Sequence, residues 1–214
     1  MSTSSAPELL VLHAVRVLGF ASGPQVAARY RLDQREVGEH LLDEQAAGLV
    51  QRVAFADASG WSLTEAGRLA DERRLSEELG AAGCRPGVLA AAREFEAVND
   101  RFLRAMTDWQ IRPQTWDRLA ANDHTDHRWD DRVWETLRAC DQRLTAINDR
   151  LADSLTRFDG YATRYAASLA RAQEGAAPWL DAPGRDSCHR IWIELHEDLL
   201  STLGLGRGDP IPEA

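Results

Sequence analysis

Between Leu9 and Phe20 the apolar residues Leu9, Leu12, Val15, Val17 and Leu18 recur at broadly helical spacing, and Gly19 with the Ser22-Gly23-Pro24 cluster ends the pattern. The spacing predicts a first helix there. Pro24 suits the first turn of a short second helix over Gln25 to Tyr30, with Val26 and Ala27 facing inward and Leu32 closing the turn. Asp33 is an N-cap, and Glu36 three residues later completes a capping box for a third helix reaching about Ala47. Gly48 stops that helix, and Leu49-Val50-Gln51-Arg52-Val53 alternates as a strand does. The cluster Asp57-Ala58-Ser59-Gly60 turns the chain, and Trp61-Ser62-Leu63 returns it as a second strand. Thr64 caps a fourth helix, with Leu69 and Leu75 on an inner face that runs through Leu79.

Gly83, Arg85 and Pro86 break the helical pattern between Gly80 and Gly87 and mark a domain boundary, giving domains 1–80 and 86–206. From Val88 onward Phe95, Val98, Phe102, Met106 and Trp109 describe a long helix that ends before Pro113. Val133, Leu137, Cys140, Leu144, Ile147, Leu151 and Leu155 keep nearly strict heptad spacing between about Asp130 and Phe158, a seam that calls for a partner helix. Gly160 interrupts, a shorter helix carries Tyr161, Tyr165 and Leu169, and a last one from Asp186 to Leu203 buries Cys188, Trp192, Leu195 and Leu199. The expected fold is mainly α: two short helices joined by a tight turn, the outline of a helix-turn-helix, with a small β-hairpin wing, then a C-terminal helical bundle. A stripe left over in that bundle would be buried across a two-fold axis, so a homodimer is expected.

Composition narrows the chemistry. All 25 basic residues are Arg, which excludes a Walker phosphate loop, a Schiff-base lysine and an SxxK nucleophile pair. Cys84, Cys140 and Cys188 are widely spaced and lack both CxxC and a His at zinc-finger spacing, so neither a disulfide framework nor a zinc site is expected. No apolar run reaches the roughly 18 residues of a membrane span, and Met1 to Pro7 has no signal-peptide character; a cytoplasmic protein is expected. The net charge of −9 means that any nucleic-acid face must be a local patch, since Met1 to Gly80 alone holds eight Arg against twelve acids.

The run Leu41-Leu42, Gly48-Leu49-Val50 and Gly60-Trp61-Ser62-Leu63-Thr64-Glu65-Ala66-Gly67-Arg68 resembles the winged-helix module of MarR-like and PadR-like bacterial regulators. The resemblance implies that the third helix enters the major groove of a double-stranded DNA operator and that the wing grips phosphates or the minor groove. It assigns Gln34, Arg35, Gly38, Glu39 and His40 to the reading surface and Arg52 and Ser59 to the wing. Arg29, Arg31, Arg35, Arg52 and Arg68 must then outweigh Glu36, Glu39, Asp43 and Glu44 near the phosphates. Trp61 reads as a plug against the helical core and not as a base-stacking residue.

Asn122-Asp123-His124-Thr125-Asp126-His127, continuing to Asp130 and Asp131, brings His and carboxylates together, but a loop entering a long helix needs such residues as caps. Capping is the expectation and a metal site is not. His189 and His196 stand seven residues apart, ~10.5 Å along a helix, too far to chelate one ion. They can instead line a small-molecule effector pocket with Trp109, Tyr165 and Trp192. The stretches Asp108-Trp109-Gln110, Asn122-Asp123-His124, Cys188-His189-Arg190-Ile191-Trp192 and Leu195-His196-Glu197-Asp198-Leu199-Leu200 are faintly similar to a helical module found beside pyruvate phosphate dikinase-like proteins, a resemblance that supplies no catalytic residue. No nucleophile elbow, zinc-protease motif or catalytic carboxylate pair stands out, so no enzyme activity and no cofactor are expected. The expectation is a homodimeric transcriptional repressor; the alternatives are a protein-interaction adaptor built on the winged helix and a small-molecule-binding bundle.

Overall fold

A computed structural model of the chain describes residues 2–55 and 58–212, and the side chains of all of these except residues 55 and 58. Among the described residues the fold is mainly helical, with one two-stranded antiparallel sheet. The N-terminal elements follow one another as α1 (Pro7–Leu18), α2 (Gly23–Tyr30), α3 (Gln34–Ala46), β1 (Val50–Phe55), β2 (Ala58–Leu63) and α4 (Glu65–Ala82). The helices α5 (Arg85–Gln110), α6 (His127–Ser154), α7 (Tyr161–Gln173), α8 (Pro178–Asp181) and α9 (Cys188–Leu203) complete the chain, with a 3-10 turn over Thr156–Phe158. No described helix is long and apolar enough to cross a membrane.

The chain divides into two compact units. The first gathers Met1–Leu89 with Ala152–Arg157 and Glu194–Ala214, so the N-terminal elements are joined by two segments from much later in the sequence. This differs from a boundary drawn at 80–86, because the Gly80 to Gly87 break is short: α4 continues to Ala82, Gly83 caps it at φ +62°, and α5 begins at Arg85 with Pro86 in its first turn.

In the first unit α1 is the central rod. Val11, Leu12, Ala14 and Val15 from α1 pack with Val26 and Ala27 of α2, Val37 and Leu41 of α3, Val50 and Trp61 of the hairpin, and Ala70 of α4. The strand register pairs Val50 with Leu63 and Phe55 with Ala58, so both strands are longer than the sequence pattern predicts. Ala58, Ser59 and Gly60 belong to β2 and not to a turn, and Asp57 lies outside the described residues. Ala21 adds a backbone bridge to the sheet, its N–H donating to the Trp61 carbonyl at 3.1 Å and its carbonyl accepting from the Trp61 N–H at 2.7 Å. In α4 the buried residues are Gly67, Ala70, Asp71, Leu75 and Leu79. Leu69, expected on the inner face, is 60% exposed: Ala70 and Asp71 hold the inward positions on that turn.

The second unit is built from Ala90–Leu151 and Phe158–Ile193. Its α5 and α6 segments run antiparallel, tied by Arg150 donating to Glu94 at 2.7 Å near one end and by the Trp129 indole donating to the Asp108 carbonyl at 2.7 Å near the other. The heptad residues Val133, Leu137, Cys140, Leu144, Ile147 and Leu151 are all buried within the single chain. The α6 seam is therefore filled by the chain's own helices and does not require a second copy. Asn148 fastens the corner after α6, donating to the Phe158 carbonyl at 2.6 Å and accepting from the Ala162 N–H at 2.8 Å.

Candidate nucleic-acid interface

The turn between α2 and α3 sets the pose of α3. Gln25 at the third position of α2 accepts from the Ser22 N–H at 2.9 Å, closing a capping box one helix earlier than the sequence pattern predicts. Arg31 ends α2 in the left-handed region at φ 56°, a conformation that costs a non-glycine residue, and the Leu32 N–H reaches back to the Ala27 carbonyl at 2.9 Å. The Asp33 carboxylate then accepts from the N–H groups of Arg35 and Glu36 at 2.9 and 3.1 Å and starts α3. With Val37 and Leu41 buried, α3 turns Gln34, Arg35 and Glu39 fully outward, while Gly38 and His40 are half-buried. A Cβ built at Gly38 would meet nothing within 4 Å.

Arg35 and Glu39 form an i, i+4 pair at 3.1 Å with both side chains well exposed. Glu44, expected among the acids of this surface, is instead buried against Arg74, which donates to both of its carboxylate oxygens. The outward acids of α3 are thus Glu36, Glu39 and Asp43. On the basic side Arg31, Arg35, Arg52 and Arg68 are exposed. Arg29 departs from the expectation: its side chain is 3% exposed, stacks over its neighbour Tyr30 and approaches Asp198 at 4.0 Å, so it is not available to a phosphate.

On the hairpin Arg52 and Ser59 both face solvent, Arg52 opposite Trp61 and Ser59 opposite Ala54. Ser59 lies within β2 and not at a wing tip. Trp61 is 8% exposed and packs into the helical core as a plug, with the Arg52 guanidinium 5.6 Å from its ring centre.

A second constellation in this unit escapes the sequence pattern. His13, Asp71, Arg157 and Asp198 have no exposed side-chain surface, yet their charged groups meet. The His13 ring faces Asp71 through Nδ1 at 3.3 Å and Asp198 through Nε2 at 3.0 Å. Arg157 donates to Glu78 at 2.9 Å, to the Thr202 hydroxyl at 2.8 Å and to Asp198. Arg16 extends the network to Glu72 at 2.9 Å and Glu197 at 3.1 Å. Burial works against the imidazolium, but Asp71 and Asp198 outweigh it and hold His13 above its ordinary value. Burial likewise opposes the Asp198 carboxylate, and Arg157 and His13 hold it far below the usual range. The signal for this network lies in α1, where His13 and Arg16 interrupt an otherwise apolar run: a charged residue on a helix buried all round needs a partner.

The expected effector residues line neither of two hollows that open between α5 and α6. Tyr165 and Trp192 are solid core: Trp192 stacks on Phe102 with ring centres 4.2 Å apart and donates to Asn99 at 2.9 Å, and Tyr165 donates to the Leu137 carbonyl at 3.3 Å. His189 is half-buried with its pKa lowered by burial, its ring 6.2 Å from that of Phe102. Trp109 packs elsewhere, against His124 and Trp134. His196 belongs to the first unit. Aromatic residues at helical spacing here fill space and do not enclose it.

The Asn122 to Asp131 loop is a capping device. Asp126 accepts from the N–H groups of Arg128 and Trp129 at the start of α6, Arg112 pairs with Asp123 and Asp126, and Asp130 binds both Asn122 and His124. No family model matches the chain, and no curated protein or solved structure matches it either.

Proposed function

We propose that the N-terminal unit is a winged-helix head that binds double-stranded DNA, and that the protein is a transcriptional regulator acting as a repressor. The observation that carries this reading is the free outer face of α3, with Gln34, Arg35 and Glu39 exposed, held on the α1 core beside a two-stranded hairpin that carries exposed Arg52. A helix with one solvated face and a neighbouring hairpin is the arrangement that a major groove and its flanking phosphates accommodate. The acids of α3 do not defeat it. The Arg35–Glu39 pair is fully solvated and such pairs hold by only about 0.2–1 kcal/mol, so a phosphate oxygen can replace Glu39 as the partner of Arg35. In this reading two chains pair about a two-fold axis and present their α3 helices ~34 Å apart to a palindromic site.

The test is a titration of the protein with the duplex upstream of its own coding sequence at two salt concentrations. The reading expects binding that weakens linearly in log salt. It also expects a slope shallower by about 0.9 in Arg35→Ala and again in Arg52→Ala, since each variant neutralises one phosphate fewer. Absence of binding at both salts refutes it.

A second reading draws on Leu42, 60% exposed on α3 between Asp43 and Leu41, beside the acids Glu39 and Asp43. An exposed apolar side chain with two exposed carboxylates on the same helix suits a basic partner protein better than a phosphate backbone. Under that reading Leu42→Ala weakens partner binding while Arg35→Ala and Arg52→Ala leave it intact.

A further inference from the structure

Of the arginines in the second unit, Arg112, Arg150 and Arg164 are each paired with a carboxylate. Arg101, Arg104 and Arg132 are not: among the described residues none of the three has a carboxylate within ion-pair distance. These three line one cleft of about 320 Å³ between α5 and α6, floored by Trp129 and Thr136 and with Asp108 as its acidic group. Arg101 and Thr136 also border a second hollow of about 650 Å³ farther along the same helix pair, where Arg143 adds a fourth guanidinium.

The placement follows from the helix geometry. Arg101 and Arg104 stand three residues apart on α5 and so share a face, and the antiparallel α6 brings Arg132 and Thr136 up to them. The Arg104 Nε donates to the Asp100 carbonyl at 3.2 Å, which fixes the stem and leaves the terminal nitrogens free. The Arg132 guanidinium lies 5.2 Å from the centre of the Trp129 ring, and the Trp129 indole donates to the Asp108 carbonyl at 2.7 Å, so the ring is anchored beneath it. Asp108 is the carboxylate that lines the cleft; burial raises it above its ordinary value, and Arg132 and Arg104 draw it back down. Three guanidinium groups gathered around one carboxylate, in a chain of net charge −9, leave a local positive well.

We propose that this cleft is a binding site for a small phosphorylated molecule, with Arg101, Arg104 and Arg132 receiving its phosphate oxygens. The planar fork of a guanidinium matches phosphate in two-point contact, and the cleft volume lies at the small end of ligand pockets. The phosphate sits among the three guanidinium groups, and the remainder of the molecule extends past Thr136 toward Arg143. The cleft uses no residue of α3 or of the hairpin, and neither proposal depends on the other.

The experiment is calorimetric titration of the full chain with inorganic pyrophosphate, with citrate as a polyanion of carboxylates. Pyrophosphate is expected to bind at one per chain. Affinity should fall roughly tenfold in Arg104→Ala and in Arg132→Ala, each removing one charge-assisted hydrogen-bond donor group, and stay unchanged in Arg138→Ala on the same helix outside the cleft. All three arginines are exposed, and matching thermal melts confirm that the variants are folded. No pyrophosphate binding, or binding indifferent to Arg104 and Arg132, overturns the site. Citrate binding as tightly as pyrophosphate overturns the assignment to phosphate.

Discussion

The backbone of Gly67 in α4 lies so close to that of Leu49 that a Cβ built on it would stand 1.9 Å from the Leu49 carbonyl oxygen. Thr64 explains why the two meet. Its hydroxyl accepts from the Gly67 N–H at 3.0 Å to cap α4, and donates to the Gly48 carbonyl at 2.7 Å, which draws the first turn of α4 onto the corner between α3 and β1. The Leu63-Thr64-Glu65-Ala66-Gly67 run is thus a clamp between the hairpin and the helices that precede it.

Gly67→Ala is therefore expected to destabilise the first unit. The obstacle is the Leu49 backbone, which cannot rotate away, so the cost should reach or exceed the about 1–3 kcal/mol of ordinary overpacking. Chemical denaturation of the variant beside Gly38→Ala supplies the check, since a Cβ at Gly38 meets nothing. Equal midpoints for the two variants would contradict the clamp.

Arg157 is the second point of fragility. It supplies charge to Asp198 and Glu78 with none of its own side chain exposed, so Arg157→Met takes the cation from a fully buried Asp198, which keeps His13 and Arg29, and from a half-buried Glu78. Breaking a buried pair from one side costs about 3–5 kcal/mol. The double variant Arg157→Met with Asp198→Asn should recover part of that stability, because one of the stranded charges is gone. A double variant less stable than the single one would mean that Asp198 does not depend on Arg157.

Much of the N-terminal unit is legible from short-range signals. Asp33 and Thr64 announce helix starts through bonds made within three residues, Pro24 does so through its fixed φ, and Val37 and Leu41 follow a 3.6 period that a single face explains. What the pattern misses depends on pairings between residues distant in sequence. Asp71 is hidden in a charged stretch and turns inward only because His13, 58 positions away, is there to meet it. The strands extend through Ala54 and Ser59 by backbone pairing of β1 with β2, which side-chain alternation does not report. The heptads of α6 correctly mark a buried seam but do not say that the chain's own helices fill it. Resemblance alone puts the candidate DNA surface on α3 and the hairpin, and exposure then sorts its residues: Arg35 and Arg52 outward, Arg29 and Glu44 inward. The arginine cleft has no sequence signal beyond Arg101 and Arg104 being three apart, since Arg132 joins them only through antiparallel packing.

His13 makes stability depend on pH in a direction that can be worked out. Its ring faces Asp71 on α4, Asp198 on α9, Arg157 Nη1 at 3.5 Å from the 3-10 turn and the ring of Tyr30 on α2, while Arg16 on its own helix reaches Asp71. The carboxylates prevail, so the folded state holds the proton more tightly than the unfolded chain, whose imidazole titrates at 6.5. The resulting stabilisation is complete below that value and is lost as pH rises through the higher folded value. Asp198 acts at the other end: its folded value is depressed below the ordinary 3.8, so its contribution is present above 3.8 and disappears as pH falls further. His189, lowered by burial, opposes His13 by favouring the folded state as pH rises past its own titration, so the wild-type profile alone does not isolate the network. Comparison with His13→Gln does. The variant should be less stable than the wild type at pH 6, and the gap should narrow steadily toward pH 9 as the wild-type His13 loses its proton while the variant has none to lose. A gap that stays constant across that range would show that His13 is neutral in the fold and that its two carboxylates are balanced by Arg16, Arg29 and Arg157 alone.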